Sequence, residues 1–261
     1  MSAGEASGGN RSAVDLPRFV RARLDPAERY GLRLTLVGVA FVLVAIPFAS
    51  LTFAVLDGGG LTRADGRVAD SLNRWVHDRS GAVGLLQGIS WMGRPPLLAA
   101  VVLVAVLLVW RTGHRRRVVF LVATSLGGGI VDTLVKAAVD RPRPVVDHPV
   151  ATALGKSFPS GHAMSSTVTY GALLVAVWPW IPARFRRSAL VATVLLVLAV
   201  GTSRLFLGVH FVSDVVGGYV LGLAWLAAAT AVFAVWRREE PVAALDEPDP
   251  ATDPVAAHGR S

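Results

Sequence analysis

The chain contains no cysteine, which excludes disulfides and thiolate-held metals from its chemistry. Charge is scarce. Asp, Glu, Lys and Arg make up 17% of 261 residues, less than a soluble domain of this length carries. Lysine is almost missing: Lys136 and Lys156 are the only two, so nearly every basic group is an arginine. Residues 1–30 lack the short apolar core and small-residue cleavage site of a signal peptide. No internal repeat is visible. There is also no aromatic-basic platform on a polar domain. The net charge of +8 therefore does not imply nucleic acid as a partner, because the arginines sit in short clusters between apolar runs.

What is abundant is apolar surface, 53% of the chain, gathered into long runs. Six of them approach the roughly 20 residues that cross a hydrocarbon core. They are Leu34 to Leu56, Pro95 to Trp110 (starting upstream near Ala82), Val118 to Val139, Ala163 to Ile181, Ala189 to Leu207 and Phe211 to Trp236. The expected fold class is all-α, a polytopic membrane bundle of about six transmembrane helices over residues 31–236. A polar N-terminal segment, 1–30, precedes it and an acidic, Pro-rich disordered tail, 237–261, follows. Arginines crowd before span one, between spans two and three (Arg111, Arg115, Arg116, Arg117), between spans four and five (Arg184, Arg186, Arg187) and after span six. By the positive-inside bias these segments are cytoplasmic, and so are both termini of a six-span cell-membrane protein. Trp178 and Trp180 read as interface anchors. Between spans one and two, Val68, Leu72, Trp75 and Val76 recur at helical spacing among Arg67, Asp70, Arg74 and Asp78. That pattern describes an amphipathic helix on the outer membrane surface or a small cap packed on the bundle.

Three polar clusters interrupt the apolar chain: Lys136 with Arg143-Pro144; Pro159-Ser160-Gly161-His162; and Ser203-Arg204 with His210 and Asp214. Ionisable groups are rare in spans without a function. Helices that alternate in direction bring all three clusters to one outer face, opposite the arginine-rich loops. There Lys136, Arg143 and Arg204 supply cations for a phosphoryl group, Ser160 a hydroxyl, and Gly161 a close backbone approach at a helix start. His210 and Asp214 are four apart, on one helical face. A carboxylate at one imidazole nitrogen leaves the other free to attack, so His210 is the expected nucleophile and Asp214 its partner. His162, on a different helix, is the expected acid and base. No metal or cofactor is needed, because the lysine and arginines do the charge work. Outside the clusters, Asp132 either pairs with Lys136 or only neutralises it, and Asp140 is placed to do the same. Arg141 is expected to face water or lipid head groups. His148 and Lys156 read as solvated loop residues. His77, His114 and His258 read as surface. Gly127, Gly128 and Gly129 suit close helix packing.

The three clusters, with these internal spacings, resemble the three-part signature of the type 2 phosphatidic acid phosphatase (PAP2) family. The resemblance implies a metal-independent lipid phosphatase with a helical core. It gives the same roles: His210, His162 and Asp214 catalytic, with Lys136, Arg143, Ser160, Gly161 and Arg204 as the phosphate pocket. A pocket at span ends takes a phosphate head group while the chain stays in the bilayer. The expected substrate is thus a lipid phosphate monoester or diphosphate, such as phosphatidic acid, phosphatidylglycerol phosphate or a polyprenyl diphosphate. Two rivals exist. Vanadium haloperoxidases share this kind of signature but are soluble, against the apolar spans. A non-catalytic lipid-phosphate binder or transporter would need only the cations. Nothing in the sequence bears on oligomeric state.

Overall fold

The computed structural model describes residues 31–236, which fold almost entirely as helices. The segments 1–30 and 237–261, with their arginines and the expected tail, lie outside the described residues. In chain order the helices are α1 (Gly31–Leu56), α2 (Gly60–Val76), α3 (Ser80–Trp91), α4 (Pro95–Arg111), α5 (Arg115–Val139), α6 (Gly161–Val177), α7 (Ala183–Phe206) and α8 (Val212–Trp236), with a 3-10 turn, Trp178–Trp180, after α6. Punctuation residues set several ends. Pro95 and Pro96 open α4, where the missing N–H groups have no helical partner to lose. Asp140 closes α5 in the left-handed region (φ 52°), donating its N–H to the Lys136 carbonyl, before Pro142 and Pro144 forbid helix.

α6 is the axis of the bundle and packs against α8, α5, α7 and α4. Its buried side is small and weakly polar: Ala163, Ser166, Thr167, Thr169, Ala172 and Ala176 among Met164 and Val168. The hydroxyls of Ser166 and Thr167 are satisfied by the Ala163 carbonyl. α8 approaches closely because Gly218 and Gly222 face it. A Cβ at Gly218 would stand 2.6 Å from the Ser160 carbonyl oxygen, and one at Gly222 would stand 2.9 Å from Thr167 Cβ. α1 packs on α8, α3 on α7 and α4 on α5. An apolar cluster of Val109, Val118, Phe120, Leu121, Ala172 and Ala176 fills the arginine-rich end. There Arg117 lies 4.4 Å over the Trp180 ring and Arg186 5.6 Å over Trp178. On α5, Leu126, Ile130 and Leu134 form an exposed stripe at four-residue spacing, the surface a hydrocarbon solvent would cover.

Three helices among the described residues are long and apolar enough to cross a membrane: Arg115–Val139, Ala183–Phe206 and Val212–Ala234. Two bent pairs raise the number to at most five. The expected second span is one of them. It breaks between Ser80–Trp91 and Pro95–Arg111 with a 44° bend, where Pro95 and Pro96 remove backbone donors. The expected fourth span, α6, has 17 residues. It is enclosed by its neighbours, so it does not need a fully apolar surface. α2 turns 82° from the end of α1. It is amphipathic as expected, and its bundle side is partly polar. Asp65, Ala69, Asn73 and Val76 are buried, whereas Val68 and Trp75 are exposed.

Candidate functional site

The three clusters converge at one end of the bundle. His210 lies in the short connection between α7 and α8, and Asp214 stands in the first turn of α8. Both are buried. His210 Nδ1 lies 3.4 Å from Asp214 Oδ2, and the same oxygen accepts the Phe211 N–H at 2.9 Å. On the other side of the ring, Arg143 Nη1 is 3.0 Å from His210 Nε2 and also donates to the Val209 carbonyl. A guanidinium has only donors, so Nε2 accepts and the proton resides on Nδ1, toward the carboxylate. Arg143 is held in place by the carbonyls of Leu154 and Gly155. Burial pulls its guanidinium below the usual arginine value, with Asp214 opposing. Burial also pushes His210 down to about 4, against the hydrogen bond and charge of Asp214.

The start of α6 completes the site. The Ser160 N–H donates to the Asp214 carbonyl oxygen at 2.9 Å, which ties α6 to α8. Lys136 pairs with Asp132 one turn earlier on α5. Its Nζ lies where a Cβ on Gly161 would come within 2.8 Å, so the glycine lets the ammonium close on this helix start without displacement. Arg204, from the last turn of α7, donates to Ser90 Oγ at 2.6 Å. His162 packs beside Gly93 and Val200 and lies within electrostatic reach of Arg204, His210, Arg94 and Lys136. Four of these side chains keep a buried polar atom with no partner among the described residues: Asp132 Oδ1, Ser160 Oγ, His162 Nε2 and Arg204 Nε. Such groups are costly unless something binds them, and two of the four, Ser160 Oγ and Arg204 Nε, are donors suited to an anion.

Several neighbours differ from expectation. Arg141 does not face water. It is buried between two carboxylates, Asp65 Oδ2 at 2.9 Å and Asp214 Oδ1 at 2.5 Å, because the chain leaving α5 turns inward under α2. Asp140 does not reach Lys136. It pairs with Lys156 across the loop. Arg94, just before α4, sits close enough to bear on His162 and Arg204. His77 is not an isolated surface group: its ring stacks on His148 at 4.2 Å, while Asn73 clasps the His148 backbone. His114 packs against Trp180. A Cβ at Gly127 would clash with Trp225 and one at Gly128 would crowd Val168, but Gly129 faces open space. Asp65, Ser90 and Ser213 had no sequence signal beyond being polar residues among apolar ones.

A groove of about 380 Å³ runs between α4, α5 and α6, lined by Leu98, Val102, Val122, Leu126, Gly129 and Ser165 among others. Gly129 and Ser165 lie about one helical turn from Asp132 and Gly161, so the groove ends beneath the polar site.

Residues 116–238, which hold all three clusters, match the PAP2 superfamily profile. Over 97 residues the chain is 38% identical to phosphatidylglycerophosphatase B of Bacillus subtilis (strain 168), covering 36% of this chain but only 47%, about half, of that protein. Over 157 residues it is 36% identical to decaprenylphosphoryl-5-phosphoribose phosphatase of Mycobacterium tuberculosis (strain CDC 1551 / Oshkosh), covering 56% of this chain and 77% of that protein. The fold is similar to the crystal structure of a transmembrane PAP2 type phosphatidylglycerolphosphate phosphatase from Bacillus subtilis. The TM-score is 0.70 at 22% identity, over 76% of this chain and 98% of the other. With the signature gathered on one end of a membrane helix bundle and matched over its whole length, the chain belongs to the PAP2 superfamily.

Proposed function

We propose that the protein is a lipid phosphatase that releases a terminal phosphate from a lipid phosphate monoester or diphosphate at the outer membrane face, through a phosphohistidine on His210. The observation that carries this reading is the state of the His210 ring. Asp214 takes the Nδ1 side, and Nε2 is unprotonated and directed at the guanidinium of Arg143. A phosphoryl group bound by Arg143, Lys136, Arg204, Ser160 and the N-terminal amides of α6 meets that lone pair.

In the first step Nε2 attacks phosphorus and the bond from phosphorus to the lipid oxygen breaks. Its electron pair stays on that oxygen, which His162 protonates. The imidazole becomes cationic with its proton on Nδ1, opposite Asp214. In the second step His162 takes a proton from water, the hydroxide attacks phosphorus, and inorganic phosphate leaves Nε2 neutral again. The proton that His162 donates is stabilised by the substrate itself. An anion among Arg204, Arg94, Lys136 and His162 offsets the repulsion those cations exert on an imidazolium. Lys136, Arg143 and Arg204 meet the developing charge, which is the basis for a metal-independent mechanism.

The named relatives act on phosphatidylglycerophosphate and on a polyprenyl-linked phosphoribose. Those names and the apolar groove beneath the site support a substrate whose hydrocarbon chain lies along α4 and α5. The test is phosphate release from defined lipid phosphates in detergent with EDTA present. The wild type is expected to release phosphate, and His210→Ala to remain folded and inactive. Near-normal turnover by His210→Ala removes it as nucleophile.

A further inference from the structure

The geometry points to Asp65, on α2, as a positioning residue that acts through Arg141 to hold the Asp214 carboxylate against His210. This deepens the proposed phosphatase reading and rests on it. Asp214 is fully buried, and its two oxygens have separate duties. Oδ2 serves His210 Nδ1 and the Phe211 N–H, while Oδ1 accepts Arg141 Nη1. Arg141 is itself buried, with its guanidinium 4.2 Å from the centre of the Phe211 ring. A guanidinium in that position would lean toward Asp214 alone unless a second acceptor balanced it. Asp65 is that acceptor. Its Oδ2 takes Arg141 Nη2, and the carboxylate also receives the Ser213 N–H at 3.2 Å and the Ser213 hydroxyl. Ser213 Oγ in turn accepts Arg141 Nη1 at 2.7 Å. Asp65 therefore grips both the arginine and the residue adjacent to Asp214.

Charge gives the network its chemical meaning. Two carboxylates around one guanidinium leave a single net negative charge, buried beside His210. When His210 carries a phosphoryl group its ring is cationic, and that negative charge is its counter-ion. Without the charge on Asp65 the network is neutral, and Arg141 draws Asp214 away from the ring. α2 contributes to the reaction although it contains none of the three signature clusters.

Asp65→Asn tests this, because the amide keeps the size and one acceptor but removes the charge. The expected result is a fall in kcat of about ten-fold with KM and the inhibition constant for vanadate nearly unchanged. The acid limb of the kcat profile should also move to lower pH, since loss of a negative neighbour disfavours protonated His210. Asp65→Glu should restore part of kcat. Wild-type kcat and an unmoved acid limb in Asp65→Asn would overturn the proposal, as would a loss confined to thermal stability. If Asp65→Asn does not fold, Ser213→Ala carries the test. It is expected to lower kcat several-fold at unchanged vanadate inhibition, and wild-type kcat would overturn the proposal. Wild-type protein that releases no phosphate from any lipid phosphate would sink the phosphatase reading itself. Active wild type, inactive His210→Ala and unaffected Asp65→Asn would sink only the role of Asp65.

Discussion

His210 has both ring nitrogens engaged, and its surroundings decide which form of the ring exists in water near neutral pH. Burial dominates and holds it near 4, although Asp214 pulls the other way. In the proposed role of nucleophile, a ring with a depressed pKa is neutral, and so competent, from about that pH upward. Protonation as pH falls through about 4 removes the attacking lone pair. The prediction is that the limb of kcat/KM set by His210 in the free enzyme lies toward 4, well below the 6.5 of an ordinary imidazole. The substrate's own phosphate ionisation is titrated separately and divided out of the profile. A limb that remains at the ordinary imidazole value after that correction would mean that His210 is hydrated rather than buried in the working protein.

At the scale of elements, α6 and α8 govern the site, since Ser160 and Asp214 are joined across them and no side chain separates their backbones at Gly218 and Gly222. Gly222→Ala places a methyl group against Thr167 Cβ and within 3.1 Å of the Met164 carbonyl oxygen. It is expected to destabilise by roughly 1–3 kcal/mol. Gly88→Ala, on α3 with nothing within 4 Å, is expected to be neutral or to stabilise by about 0.5–1 kcal/mol. Thermal unfolding of both in the same detergent makes the comparison. Equal midpoints would show that the α6–α8 contact tolerates separation. The elements also mark how far the sequence could be read. Run lengths and arginine clusters were enough to bring Lys136, His162, Arg204 and His210 to one end, because apolar length and charge bias are one-dimensional signals. The contribution of α2 was not legible. Hydrophobic periodicity picked out Val68, Leu72, Trp75 and Val76 as its apolar side, for a membrane surface or the bundle, but gave no sign that the bundle side buries Asp65 and Asn73 beside Ala69 and Val76. It covers a polar site, so what counts as its inside is set by Arg141 and the His148 backbone rather than by apolar contact. Arg141 was misjudged for the same reason: an arginine beside prolines reads as a membrane exit unless its two carboxylate partners, more than 70 residues away, are already known.

The whole molecule is polarised along its helix axes. One end holds Lys136, Arg143, Arg204 and both signature histidines. The other holds Arg115, Arg116 and Arg117 beside Trp178 and Trp180, where arginine–indole contacts suit a membrane interface. We assign the first end to the outside and the second to the cytosol from arginine bias. A cysteine-free chain allows a direct test, because any single introduced thiol is unique. Leu154 is 95% exposed in the loop that carries Arg143, and Arg184 is exposed at the start of α7 on the opposite end. Leu154→Cys should react with a membrane-impermeant maleimide on intact cells. Arg184→Cys should react only after permeabilisation. The reverse pattern would keep the site but turn it toward the cytosol, where it would meet lipid phosphates of the inner leaflet. Labelling of both from one side would break the alternation of helix ends on which the assembly of Lys136, Ser160, Arg204 and His210 into the proposed phosphate site depends.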